Sequence, residues 1–163
     1  MLSGQSYQGA DEVRNAIFAL KPEQIENDLK ATADYAVKLP AANGKLAVAG
    51  FCWGGGQSFL FATKSSAPKA AFVFYGPAPE AVDLAKIACP IYGFYGEDDA
   101  RITATVPDTV KAMQAAGKTY EPVVYKGAGH GFMRFGEEPD ASDANRKAMQ
   151  ASWKRLKSLL KAL

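Results

Sequence analysis

Cysteine and histidine are scarce in this chain: Cys52, Cys89 and His130 are the only ones among 163 residues. A metal site built from several Cys and His ligands is therefore excluded by count, and no cofactor is implied. Chemistry that needs one nucleophile and one base remains open. Cys52 stands in Gly50-Phe51-Cys52-Trp53-Gly54, the G-x-nucleophile-x-G spacing of a sharp strand-to-helix turn that lifts one side chain above a sheet. Glycines suit such a turn because neighbouring backbone leaves no room for a Cβ. A free thiol with a pKa of about 8.5 is only a few per cent ionised at pH 7, so a nucleophilic role needs a base or a field. A helix opening after the turn would favour the thiolate by about 0.3–1 kcal/mol.

His130 is the one candidate base. It sits in Lys126-Gly127-Ala128-Gly129-His130-Gly131-Phe132, where the glycines free the loop to reach over a sheet edge. The imidazole then needs a carboxylate on its far nitrogen, and Gly96-Glu97-Asp98-Asp99 offers Asp98 and Asp99. Each of these residues has a plainer use. Cys52 could be a packing cysteine, His130 an exposed turn residue, and either aspartate the cap of a helix starting near Thr103. Cys89 precedes Pro90 where a strand begins, while Cys52 follows one that ends. At ~3.3 Å per residue the two are about 15 Å apart, too far for a disulfide, and Cys89 is expected in the core. Tyr75, Tyr95 and Trp53 fall at predicted strand ends, as pocket wall or as core.

The elements that must position these groups follow from periodicity. Residues 1–10 read as loop, and an amphipathic stretch covers 11–20. Pro22 opens a helix to about Lys38, with Ile25, Leu29, Ala33 and Val37 at helical spacing. Residues 45–51 read as a short buried strand, 54–63 as a helix, and 70–75 and 90–95 as strands. Residues 106–116 read as a helix closed by Gly117. Residues 120–125 form a strand that Pro122 sends to the sheet edge, and 141–163 a long amphipathic helix. Alternating strands and helices predict an α/β fold, a parallel sheet with helices on both faces, as one domain over 1–163. Cys52, the aspartates and His130 all fall at carboxyl ends of strands, where open α/β sheets carry their sites.

Composition narrows the partners. The chain is 48% hydrophobic and 22% charged with net charge +2, and its basic residues form no block, so nucleic acid is not an implied partner. No apolar run approaches the ~18 residues of a membrane span, and no signal-peptide order opens the chain. The sequence reads as soluble, cytoplasmic by default, and exported if a signal lies upstream.

Gly50-Phe51-Cys52-Trp53-Gly54-Gly55, Phe74-Tyr75-Gly76, Tyr95-Gly96-Glu97-Asp98-Asp99-Ala100-Arg101-Ile102 and Gly129-His130-Gly131-Phe132 together resemble the dienelactone hydrolase family, in sequence and in order, from about residue 10 to the C-terminus. The resemblance implies the C-terminal portion of an α/β-hydrolase fold, with the chain order Cys, Asp, His. It implies an esterase or lactonase acting on a small-molecule ester or lactone. Cys52 would be nucleophile, His130 base and acid, and Asp99 the orienting acid, because Asp99 followed by Ile102 fits the family's pattern better than Asp98. Arg134 would hold a substrate carboxylate, the Trp53 N–H would serve an oxyanion, and Tyr75 and Tyr95 would bind substrate.

The resemblance also shows a departure. Relatives carry several strands before the nucleophile turn, where this chain has only loop and helix. That portion supplies a second oxyanion donor, a glutamate paired with the resting cysteine, and a second arginine. A half-hydrolase that is catalytically impaired and only binds or assembles is the alternative expectation. The unpaired edge of strand 45–51 predicts a homo-oligomer through that edge. A class I glutaminase is a minor alternative, disfavoured because Gly131-Phe132 stands where those enzymes place a glutamate two residues after the histidine.

Overall fold

The computed structural model describes residues 6–163, and these fall into two compact units, residues 6–44 and Lys45–Leu163. In the first unit lie helices α1 (Ala10–Phe18) and α2 (Pro22–Ala36). α2 begins as its sequence dictates: Pro22 occupies the first turn, where its missing N–H is not needed, after an extended Lys21. It ends two residues short of the expected Lys38.

The second unit runs β1 (Ala47–Phe51), α3 (Trp53–Lys64), β2 (Ala70–Phe74), α4 (Ala81–Leu84), β3 (Ile91–Gly96), α5 (Ala100–Thr103), α6 (Val106–Ala115), β4 (Tyr120–Tyr125), α7 (Phe132–Phe135) and α8 (Asp143–Lys161). The four strands are parallel in the order β1-β2-β3-β4. All four expected strands and every long expected helix are present, with ends displaced by a residue or two. The short helices α4, α5 and α7 carry too few turns to show a period.

Alternation along β2 explains the layering. Ala71 and Val73 face one way, into a core with Phe59 and Ala62 of α3, Leu84 of α4 and Met113 of α6. Ala70, Phe72 and Phe74 face the other way, against Phe132 and Met133 of α7 and Ala148 and Leu156 of α8. Every residue of β2 is buried, as a central parallel strand covered on both faces requires. β1 departs from expectation here. Its run of small apolar residues reads as buried, yet only Gly50 is, because β1 pairs on one side alone and Phe51 is 44% exposed.

Pro122 sits where its missing donor does no harm. The bonds from Ile91 N–H to Thr119 O and from Glu97 N–H to Tyr125 O, both 3.0 Å, mark the odd-numbered residues as those facing β3. Pro122 therefore turns its nitrogen to the open edge. Arg155 of α8 binds carbonyls of the β3–β4 pair, donating to Gly93 O at 2.8 Å and Glu121 O at 2.7 Å with its guanidinium 4.6 Å from the Phe94 ring. Ser142 caps α8 by accepting from Asn145 N–H at 3.2 Å. Among the described residues, no helix is long and apolar enough to cross a membrane.

The central strand dominates stability. Phe72→Ala, at 1% exposure, is expected to cost about 3–5 kcal/mol, whereas Phe51→Ala on the open strand should cost well under half as much. Urea unfolding of the two variants checks the order.

Candidate active site

The site begins with a steric constraint where β1 meets α3. A Cβ on Gly50 would run into the carbonyl of Gly54, and one on Gly76 would strike the backbone of Gly55 and Gly56. Only glycine lets these segments approach so closely. The chain then reverses at Cys52, which adopts φ 54° and ψ −120°. Its N–H donates to Phe74 O at 3.0 Å, and its carbonyl accepts from Gly56 N–H at 3.2 Å as the first bond into α3. Cys52 and Tyr75, at φ 40°, are the two non-glycine residues with positive φ among those described. Such conformations store on the order of 1–3 kcal/mol each and persist only where packing dictates them.

His130 and Asp99 meet at the neighbouring strand ends. Nδ1 of His130 lies 2.6 Å from Oδ2 of Asp99, whose side chain is 7% exposed against 39% for the imidazole. The buried acid is thus presented through a half-open base. Asp99 occupies the N-cap position of α5 without capping it, and its carboxylate goes to the histidine instead. Asp98, the alternative cap, donates its backbone N–H to Ala128 O at 2.9 Å, and its side chain is exposed.

That backbone bond is one of three holding the histidine loop. Glu97 Oε2 accepts from Gly127 N–H at 2.9 Å, and Asn145 Oδ1 on α8 accepts from Gly129 N–H at 3.0 Å. Gly127 and Gly131 take φ +66° and +76°, values that a side chain would oppose. The glycines do more than lend freedom, since they permit the fixed loop that aims His130.

Cys52 is exposed yet behaves electrostatically as a partly desolvated group. Burial pushes its thiol up, and the charge of Asp99 pushes it further. This corrects the expectation of a thiolate favoured by the helix end: a field of under ~1 kcal/mol is outweighed by burial and a nearby carboxylate. A thiol raised in this way ionises less readily than a free one.

The remaining expected residues divide. Tyr75 is brought to the site: it is 2% exposed, its ring centroid lies 5.0 Å from that of His130, and it responds to charge on Cys52. Trp53, half-buried, opens α3, so its N–H is one of those that a helix start leaves unbonded. Arg134 is exposed on α7, with its guanidinium 5.6 Å from the Phe135 ring and in no ion pair among the described residues. Tyr95 is not brought in. Its ring folds back over Gly93 and its hydroxyl accepts from Tyr120 at 2.9 Å, near the start of β4. It therefore points away from the strand ends and belongs to the core. Cys89 is buried as expected, and both cysteines are free. Asn145 was not visible from sequence, since nothing near it marks a partner sixteen residues away.

A parallel sheet with helices on both faces, a strained turn after its edge strand, and an acid and histidine at the next strand ends define an α/β-hydrolase fold. Comparison with known proteins agrees. The model of the dienelactone hydrolase family matches residues 3–163. A relative from Yersinia pestis named "Putative carboxymethylenebutenolidase" is 34% identical over 143 residues, covering 78% of this chain and 52% of that protein. One of the same name from Saccharolobus solfataricus is 32% identical over 148 residues, covering 89% and 56%. A dienelactone hydrolase-like promiscuous phosphotriesterase from metagenomic libraries superimposes with a TM-score of 0.80 at 20% identity, over 99% of this chain and 71% of that one. The chain belongs to the dienelactone hydrolase family. It spans about half the length of the curated relatives it matches.

The electrostatics carry a signed test. Asp99→Asn removes a negative charge that raises the Cys52 thiol, so the pH midpoint for alkylation by iodoacetamide should move down. A midpoint that rises or stays put contradicts the arrangement.

Proposed function

We propose that this chain hydrolyses a small carboxylic ester or lactone through a thioester on Cys52. The observation that carries the reading is the 2.6 Å contact between His130 Nδ1 and Asp99 Oδ2 beside the strained cysteine turn. With Nδ1 held by the carboxylate, Nε2 is left to exchange protons. As Sγ attacks the carbonyl carbon, the thiol proton passes to Nε2 and the carbonyl electrons move onto oxygen. The Trp53 N–H donates to that oxygen. Collapse breaks the C–O bond, and Nε2 returns the proton to the departing alkoxide, which in a lactone stays tethered. Water then loses a proton to Nε2 and attacks the thioester, freeing the acid and restoring the thiol. Arg134, exposed and outside any ion pair among the described residues, suits an ester or lactone that also bears a carboxylate.

A second reading rests on the edge of β1. That strand pairs only with β2, and the bond from Cys52 N–H to Phe74 O places the even-numbered residues toward it. The odd-numbered backbone groups at Ala47, Ala49 and Phe51 thus face the open side, as a template for another strand. On this reading the chain self-associates through β1, and the added surface supplies groups that the family draws from elsewhere. Ala49→Pro removes an outward donor and leaves the β1–β2 ladder intact. In light scattering it should lower the oligomeric state; a wild type that is monomeric at all concentrations rules the reading out.

Turnover of p-nitrophenyl acetate and of a dienelactone tests the main proposal. Cys52→Ala should fall to the uncatalysed rate, and His130→Ala should lose about 100-fold to 10,000-fold. Asn145→Ala, which only loosens the histidine loop, should lose up to ~100-fold. Cys52→Ala turning over like wild type would overthrow the proposal.

A further inference from the structure

A groove of about 390 Å³ opens between the segment that follows β2 and the α5–α6 segment. Pro77, Ala78, Pro79 and buried Leu84 contribute from one side, Ala104 and Ala112 from the other. Its polar groups are already bonded. Thr105 and Thr109 donate their hydroxyls to Ile102 O at 2.7 Å and Thr105 O at 2.9 Å, and Asp108 pairs with Lys111 at 3.0 Å. The groove therefore offers hydrocarbon, at a volume in the range of small-molecule pockets.

Two features bring one end of it to the nucleophile turn. Cys52 and Gly56 are about one helical turn apart, joined by the 3.2 Å bond that starts α3, and a Cβ on Gly56 would lie 3.1 Å from the Pro77 ring. On the other side, the short helix α5 alone separates Asp99 from Ala104. The faces of the sheet then decide which part of a substrate the groove can take. The His130 loop is built on the α7–α8 face, where Ala128 and Phe132 share a core with Tyr75. Ala78 and Leu84 pack on the opposite face, with Phe59 and Met113. A departing alkoxide must meet Nε2 of His130 to collect its proton, so the alcohol part of an ester lies on the histidine side and its acyl part is directed the other way.

We infer that the groove between Pro77–Leu84 and Ala104–Ala112 is the acyl subsite, and that it selects open-chain esters whose acyl arm is an apolar chain of several carbons. The inference rests on Cys52 being the nucleophile. A compact lactone, whose acyl and alcohol parts are tied together, leaves the groove unfilled. Each methylene that enters it from water favours binding by up to about fourfold, so chain length on the acyl side sets specificity.

Two series test it, each in wild type and in Ala104→Trp, which fills the groove from an exposed position. In the first, kcat/KM for p-nitrophenyl esters should rise by about tenfold or more from acetate to hexanoate. Ala104→Trp should flatten that rise, and lengthening the alcohol from ethyl to hexyl acetate should give no comparable gain. The second needs no turnover: the rate at which N-ethyl- and N-hexylmaleimide label Cys52, with Cys52→Ala as the blank, should also climb with chain length in wild type and level off in Ala104→Trp. Esters turned over with no acyl-chain preference, with a preference that Ala104→Trp leaves intact, or with the preference on the alcohol side overturn this inference alone. If no ester is turned over while maleimide labelling climbs and Ala104→Trp levels it, the hydrolase reading fails and the groove stands as an apolar binding site beside the thiol. Labelling that is flat in wild type overturns the groove itself.

Discussion

The molecule is organised by the close approach of backbone at the ends of β1 and β2. Gly50, Gly55 and Gly76 lie where any side chain would strike a neighbouring main chain. That contact seats α3 directly over the strand it follows, forces Cys52 out of the ladder at φ 54°, and sets Tyr75 opposite it. A larger residue at Gly50 or Gly76 would part the helix from the sheet and dissolve the turn. The aromatic and aliphatic layers on both faces of β2 supply the rigidity against which such strain is held.

Asp99 has two effects that conflict. It fixes the imidazole through a 2.6 Å bond to Nδ1, and its charge raises the Cys52 thiol. On the proposed mechanism the conflict is resolved in time: a neutral thiol avoids a second negative charge near Asp99, and its proton would leave only when His130 takes it. An imidazolium beside Asp99 is then stabilised. The groups around the loop, Glu97 and Asn145, bond to its backbone and leave the imidazole edge free.

Much of this was legible in the sequence, and the exceptions have physical causes. The strands and long helices follow local period and punctuation, and Cys52, Asp99 and His130 fall at strand ends because the alternation of elements puts them there. Three readings depended on contacts that no local pattern encodes. Tyr95 reads as a strand-end aromatic, but Gly93 opens a space behind it and Tyr120 offers a hydroxyl, so it turns into the core. Residues 45–51 read as a buried strand because burial of a short apolar run depends on its neighbours. The thiol shift reversed sign because the helix end is a local feature, while burial and Asp99 are tertiary ones. Asn145 reaches Gly129 across sixteen residues, a pairing that only the folded chain reveals.

The central claim is that Cys52 becomes covalently acylated. Rapid mixing with p-nitrophenyl acetate, acid quenching and peptide mass spectrometry tests it directly. The account predicts an acetyl group on the peptide bearing Cys52, formed within the first turnover and absent from Cys52→Ala. Release of nitrophenol with no acyl group on Cys52, or with the same labelling in Cys52→Ala, would contradict it.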